Sequence, residues 1–135
     1  MRWPRKVIEM HIHHVGIKAK DINRSLDFYT RILGFKKVPI VEVLGLEFFF
    51  ITDGIIKIEI EASNPGDQSI NVDKHYGLSH QALEVDDLNA FASRLRKEDV
   101  RFILEPVQLR EDRKIAFIED PDGIRIQLIE FLDRK

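Results

Sequence analysis

Apolar residues recur along the chain at two spacings, one typical of helices and the other typical of strands. After Asp21, apolar residues follow every three or four positions as far as Leu33, and Gly34 comes next. This pattern predicts a helix that Asp21 caps and Gly34 ends. The short apolar segments around it are bounded by turn formers and predict strands. The predicted strands of this first half begin near Ile12 and then cover residues 36–43, 46–53 and 55–62.

The same order of elements returns in the second half. Residues 63–77 are polar and rich in turn formers, which predicts a linker. A helix capped by Asp86 or Asp87 follows the first strand after this linker. The predicted strands of this half cover residues 78–85, 100–106, 114–120 and 124–131. We therefore expect an α+β fold, in which two tandem β-α-β-β-β modules form a curved eight-stranded mixed sheet around a cleft.

Residue identities repeat together with the elements. His14 and His80 hold equivalent positions at an offset of 66 residues. The segments IKIEI (56–60) and IRIQL (124–128) are equivalent at an offset of 68, so Glu59 corresponds to Gln127. A duplicated unit brings equivalent positions together about a pseudo-twofold axis. If the first and last strands of each half pair, these four side chains are expected at one level of the sheet.

Two imidazoles and two side-chain oxygens suit a borderline divalent ion such as Zn, Ni, Co, Mn or Fe. A lone histidine or glutamate on a strand more often has a structural or solvated role, and it is the repetition that favours a metal site here. Neighbouring residues of a strand face opposite sides, so only one of His13 and His14 shares the face of Gly16. The pattern predicts one divalent metal ion as the cofactor.

Composition narrows the class of protein. The chain has 135 residues, a formal charge of −2 and a pI near 6.2, which favours neither nucleic acid nor an anionic membrane as a partner. It contains no cysteine, which excludes disulfides and thiolate catalysis, and a reducing cytoplasm fits this composition. No apolar segment has the length of a membrane span or of a signal peptide core. We therefore expect a cytoplasmic protein.

Three segments resemble a known superfamily. They are HHVGIKAKDINRSLDFYTRILGF (13–35), LSHQALEVDD (78–87) and FIEDPDGIRIQLIE (117–130). They resemble the vicinal oxygen chelate superfamily, which includes glyoxalase I, methylmalonyl-CoA epimerase, extradiol dioxygenases, fosfomycin-resistance enzymes and bleomycin-binding proteins. The resemblance covers residues 12–131 and is greatest to the glyoxalase I and epimerase branches. It implies four metal ligands: His14, Glu59, His80 and Gln127.

Three further residues compete with these ligands. His13 is expected against or beside the helical layer, neutral or partly exposed, and outside the site. Glu61 shares the strand face of Glu59 and is its nearest competitor, whereas Glu130 has the opposite parity to Gln127 and is expected to point away.

Gln127 departs from the family pattern, which usually has Glu at this position. A glutamine can ligate through its amide oxygen but cannot take up a proton at neutral pH. Glu59 is then the candidate catalytic base.

The resemblance implies a metal-dependent lyase or isomerase of the glyoxalase I type, which transfers a proton next to a carbonyl through a metal-stabilised enediolate. One alternative is an epimerase of the methylmalonyl-CoA type. Four cations of predicted loop regions would then hold the phosphates of CoA: Lys74, Arg110, Arg113 and Lys114. The other alternative is a metal-free binding or resistance protein that uses the same cavity, and the glutamine at position 127 favours it.

The assembly and the domain limits complete these expectations. We expect a homodimer that acts on a small-molecule substrate, because a curved sheet leaves edges and a face to be covered. Residues 1–11 are interpreted as an N-terminal extension that contributes little to the site. Residues 12–131 are interpreted as a single glyoxalase-like domain, made of a module over 12–62, a linker over 63–77 and a module over 78–131.

Overall fold

A computed structural model describes residues 9–134 of the chain. The chain divides into two compact units, residues 1–63 and residues 64–135. Most of the predicted N-terminal extension, residues 1–8, lies outside the described residues.

Unit 1 has the order of elements that the periodicity predicts. Asp21 caps the first helix, since its Oδ1 accepts a hydrogen bond from the backbone N–H of Arg24 at 3.2 Å. The helix, α1 (Ile22–Asp27), continues as a π-helical turn over Phe28–Ile32, and Gly34 follows with a φ of +98°. The strands of the unit are β1 (His14–Ala19), β2 (Lys36–Lys37), β3 (Val41–Val43), β4 (Leu46–Thr52) and β5 (Lys57–Ala62).

The sheet of unit 1 has a helix-covered face and an opposite face. Strand β1 pairs with β5 in parallel, and β4 pairs antiparallel with β5, β2 and β3. Helix α1 contacts β5, and Ile58 and Ile60 of this strand are buried. Lys57 and Glu59 alternate with them along the strand and are only half-buried. Glu59 therefore lies on the face opposite to the helix.

Unit 2 repeats this arrangement. Its helix is α2 (Leu88–Lys97), and the Oδ1 atom of Asp87 caps it by accepting from the N–H of Ala90 at 3.0 Å. Its strands are β6 (His80–Glu84), β7 (Phe102–Arg110), β8 (Arg113–Glu119) and β9 (Arg125–Phe131). Strand β6 pairs with β9 in parallel, and the sheet order is β6-β9-β8-β7. Ile126 and Leu128 of β9 are fully buried, whereas Gln127 between them is half-buried on the other face.

The prediction of two β-α-β-β-β modules is confirmed, with a difference in strand number. Within residues 9–134 there are nine strands in two mixed sheets, where the pattern predicts one sheet of eight strands. The predicted strand over 36–43 is divided into β2 and β3. Val38 still donates its N–H to the carbonyl of Phe50 at 3.0 Å, but the next residue, Pro39, has no N–H and cannot extend the ladder.

The largest differences between predicted and observed strand bounds in unit 2 are at β6 and β7. Strand β6 begins at His80 rather than at residue 78, and β7 runs to Arg110 rather than to residue 106. The register of β7 shifts between Leu104 and Val107, around Pro106. A proline is tolerated there because β7 is an edge strand of its sheet and the irregularity accommodates the missing donor.

Candidate metal centre

His14 and Glu59 are brought together by the parallel pairing of β1 and β5. The register places Gly16 opposite Glu59, so His14 lies one diagonal step away on the same face. Its Nε2 atom is 3.6 Å from Oε1 of Glu59. The side chain of His14 is 38% exposed and that of Glu59 is 15% exposed. The pair is therefore shielded by the sheet on one side and reachable from the other.

An aromatic ring from β4 supports the histidine. Phe50 is the antiparallel partner of Glu59, so its side chain shares the face of the pair. The rings of His14 and Phe50 meet edge to face, with centroids 5.3 Å apart and an interplanar angle of 88°. Such T-shaped contacts limit the rotation of the imidazole and favour one ring orientation.

Unit 2 contains the same three-residue arrangement around His80. The register places Ala82 opposite Gln127, so His80 and Gln127 are diagonal neighbours on one face, as His14 and Glu59 are. Phe117 is the antiparallel partner of Gln127. Its ring meets that of His80 edge to face, with centroids 5.4 Å apart and an angle of 77°. The equivalence inferred from the sequence thus extends to side-chain contacts.

His13 and Ser79, the residues just before the two histidines, both contact them. Nδ1 of His13 lies 2.9 Å from Nδ1 of His14, and Oγ of Ser79 lies 3.0 Å from Nδ1 of His80. The side chain of His13 is exposed, as the prediction allowed. The predicted position beside the helical layer is wrong, because the ring of His13 touches that of His14. Alternation holds only within a strand, and His13 precedes β1.

Glu61 lies near the pair, as its strand parity predicts. A methyl group added to Gly16 would be 3.0 Å from Oε2 of Glu61 and 4.0 Å from Oε1 of Glu59. The missing side chain of Gly16 therefore leaves room for two carboxylates over one point of the sheet. In unit 2 the equivalents of Gly16 and Glu61 are Ala82 and Ile129, so the second carboxylate belongs to unit 1 alone.

Glu130 points to the other face of its sheet, as predicted. Its side chain is 3% exposed, and Oε1 accepts a hydrogen bond from the backbone N–H of Leu88 at 2.8 Å. This N–H belongs to the first turn of α2, where backbone donors have no partner within the helix. A carboxylate at a helix N-terminus is also favoured by the helix dipole. Glu130 therefore joins β9 to α2.

The donor atoms in unit 1 fit a divalent metal ion. Two ligand atoms bound at the usual distances to a tetrahedral ion lie about 3.4 Å apart, and the His14 and Glu59 atoms are separated by 3.6 Å. Neither unit brings three or more His, Asp or Glu side chains of residues 9–134 into one ligating group. Each unit instead offers one histidine and one oxygen donor on the same face.

Three of the four cations proposed for a CoA tail lie at the β7–β8 hairpin. Arg110 ends β7 and is the cross-strand partner of Arg113, which begins β8 and is followed by Lys114. Arg113 holds Asp112 through two hydrogen bonds of 3.0 and 2.9 Å. The guanidinium lowers the pKa of Asp112, and the carboxylate raises the pKa of Arg113. Arg113 is thus engaged with a neighbouring acid.

None of the helices within residues 9–134 is both long and apolar enough to cross a membrane.

Sequence reasoning missed three residues around the two histidines, Phe50, Phe117 and Ser79, and it placed a fourth, His13, outside the site. A signal was present, because Phe50 and Phe117 are 67 residues apart and His13 and Ser79 are 66 apart, within the range of offsets of the repeat. Matching every position of the two halves, and not only ionisable ones, would have found them.

Comparisons with known proteins agree with this architecture. The family profile described as Glyoxalase/Bleomycin resistance protein/Dioxygenase superfamily matches residues 11–128. A Synechocystis sp. protein named probable lactoylglutathione lyase is 30% identical over 130 residues, which cover 93% of this chain and 99% of the relative. The lactoylglutathione lyase of Escherichia coli O157:H7 is 32% identical over 130 residues, which cover 92% of this chain and 95% of the relative.

Solved structures share the fold. The trypanothione-dependent glyoxalase I of Leishmania major superposes with a TM-score of 0.73 at 30% identity, covering 90% of this chain and 87% of that one. A glyoxalase family protein from Bacillus cereus superposes with a TM-score of 0.77 at 19% identity, covering 96% and 99% of the two chains. The chain belongs to the glyoxalase/bleomycin resistance protein/dioxygenase superfamily.

Proposed function

We propose that this chain is a metal-dependent lyase of the glyoxalase I type. The proposed metal ligands are His14, Glu59, His80 and Gln127. The observation that carries the proposal is the 3.6 Å contact between Nε2 of His14 and Oε1 of Glu59, together with the same strand register around His80 and Gln127. The names of the relatives at 30% and 32% identity support the lyase reaction.

The proposed ligand set provides one base. A divalent ion such as Zn, Ni, Co, Mn or Fe would act as a Lewis acid on two vicinal oxygens of the substrate and stabilise the negative charge that develops on them. Glu59 is the carboxylate of this set, so it takes the proton when the C–H bond next to the carbonyl breaks. It then returns the proton to the adjacent carbon. The step is an isomerisation, so it needs no oxidant and no reductant.

The substrate that we propose is the adduct of a 2-oxoaldehyde with a small thiol such as glutathione. The proton on the carbon that bears sulfur moves to the neighbouring carbonyl carbon, while the hydroxyl on the first carbon loses its proton and the oxygen on the second gains one. The adduct thereby becomes a 2-hydroxy thioester of the same composition. Two relatives are named lactoylglutathione lyase or probable lactoylglutathione lyase, which supports this class of product. A reduced thiol as co-substrate fits activity in the cytoplasm, and we propose that the protein acts there as a homodimer.

Metal content and turnover test this proposal together. We expect protein purified without chelators to contain a divalent metal by elemental analysis, and to convert the methylglyoxal–glutathione adduct to the thioester. Chelation should abolish turnover, and added metal should restore it. Metal-free protein that binds a small molecule without converting it would support the binding-protein alternative. Exchange of the α-proton of a CoA thioester in D₂O, without thioester formation from the adduct, would support the epimerase.

A further inference from the structure

We infer that His13 and Ser79 are positioning residues that hold His14 and His80 in the tautomer needed to bind metal through Nε2. This inference rests on the proposed metal site and deepens it. The contact of His13 is between its Nδ1 and Nδ1 of His14 at 2.9 Å. The contact of Ser79 is between its Oγ and Nδ1 of His80 at 3.0 Å.

The chemistry of a ligating imidazole requires such a partner. A neutral imidazole carries one N–H, and the nitrogen that binds metal must be the unprotonated one. If Nε2 binds the ion, the proton is on Nδ1 and needs an acceptor, and metal-bound histidines almost always donate this N–H to a nearby group. The unprotonated Nδ1 of His13 and the hydroxyl oxygen of Ser79 can each accept it.

In unit 1, a second contact identifies the metal-facing nitrogen. The Nε2 atom of His14 is the one that lies 3.6 Å from Oε1 of Glu59, so Nδ1 is turned toward His13 and Nε2 toward the other proposed ligand. The T-shaped contact with Phe50 keeps the ring in this orientation. The acceptor and the ligand thus lie on opposite edges of the same imidazole.

The two positioning residues are equivalent by position and different in chemistry. His13 and Ser79 are 66 residues apart, the same offset that separates His14 from His80. Each immediately precedes the first residue of its strand, where side-chain direction is not bound by the alternation of the sheet. An imidazole and a hydroxyl differ in size and shape, but each can accept one hydrogen bond, and this is the role that the inference gives to both positions.

The experiment is a titration of metal-stripped protein with Co²⁺, in which calorimetry gives the Kd and the visible absorption reports the ligand field. We expect His13→Ala and Ser79→Ala each to weaken Co²⁺ binding by about 10–100-fold, as the loss of a residue that hydrogen-bonds a metal ligand usually does. His13→Gln and Ser79→Thr retain an acceptor oxygen and should restore most of the affinity. His13→Phe retains an aromatic ring without an acceptor and should be as weak as His13→Ala. Controls are His11→Ala and Ser93→Ala, which change exposed residues of the same types.

The possible outcomes separate the inference from the proposed function. Wild-type Kd values in both alanine variants would overturn the positioning role and leave the metal site intact. Wild-type affinity in His13→Phe would also overturn it, because ring packing and not hydrogen bonding would then position His14. Failure of the unaltered protein to bind Co²⁺ would overturn the proposed function and, with it, the inference.

Discussion

The Nε2 atom of His14 lies 3.6 Å from Oε1 of Glu59, across a parallel pair of strands whose other face packs on a helix. Parallel pairing matters here because it places two residues that are distant in sequence at a fixed diagonal spacing. The backbone ladder, rather than a flexible loop, therefore sets the separation of the two donors. Substitutions in surface loops should therefore leave the separation of the two donor atoms unchanged, whereas substitutions that shift β1 against β5 should change it.

Replacing His14 by Ala removes a proposed metal ligand. It should therefore weaken divalent metal binding by more than the ~10–100-fold expected when a residue that only hydrogen-bonds a ligand is lost. The free energy of unfolding should change little, because the side chain is partly exposed. Elemental analysis and a Co²⁺ titration measure the first effect, and urea denaturation measures the second. The matched control is His75→Ala, which removes an exposed histidine of the linker. Normal metal content in His14→Ala would contradict the ligand assignment.

Replacing Glu59 by Gln separates ligation from proton transfer. The amide oxygen can still bind metal, but the amide cannot accept a proton at neutral pH. We expect the variant to retain metal while kcat falls by about 10²–10⁴-fold, the usual contribution of a general base. Glu61→Gln is the control, since Glu61 lies on the same strand face. If Glu61→Gln lost the activity and Glu59→Gln kept it, the base would be Glu61.

Replacing Glu130 by Ala should destabilise the fold without emptying the site. The change leaves the N–H of Leu88 without its acceptor and removes a buried side chain, so the free energy of unfolding should fall by about 1–3 kcal/mol. Chemical denaturation of the metal-free protein measures this loss. Metal affinity should stay at the wild-type value, whereas Gln127→Ala should reduce it. A large loss of affinity in Glu130→Ala with normal stability would contradict the opposite orientation of these two side chains.

Dimerisation remains a prediction, and the hairpin of β3 and β4 offers a way to test it. Its tip exposes several apolar side chains, with Val43 50%, Leu44 98% and Leu46 63% exposed. Contiguous exposed apolar surface commonly marks an interface between proteins. We expect a homodimer at micromolar concentration in sedimentation velocity, and a shift toward monomer in Val43→Asp. Arg94→Asp, a change of an exposed residue on α2, serves as the control. A wild-type monomer would contradict the prediction.

The order of the elements could be predicted because each signal is local. Asp21 and Gly34 bound a helix by hydrogen-bonding capacity and backbone freedom, and the alternation in β5 and β9 separates buried from half-buried residues one by one. The same alternation correctly predicted that the side chains of Glu130 and Gln127 lie on opposite faces of the sheet. The second half repeats the order of elements of the first half, so an ambiguous residue in one half could be interpreted from its equivalent in the other.

The contacts around the histidines could not be predicted in the same way. Phe50 and Phe117 meet the imidazoles through cross-strand registers, which depend on hairpin geometry and not on local pattern. His13 lies just outside its strand, so parity gave the wrong direction for its ring. The division of residues 36–43 into two strands follows from one missing N–H, at Pro39, within a segment whose apolar pattern is continuous.

Gln127 also alters the electrostatic balance of the proposed centre. Two neutral imidazoles and one carboxylate leave a divalent ion with a net charge of about +1, whereas a second carboxylate in that place would bring the sum to about zero. Among the four proposed ligands, the first half of the chain thus supplies the one negative charge, through Glu59, and the second half supplies only neutral donors. A centre with residual positive charge attracts anions more strongly than a neutral one. The oxygens that become negative during proton transfer would therefore feel more of the ion's field than they would beside two carboxylates.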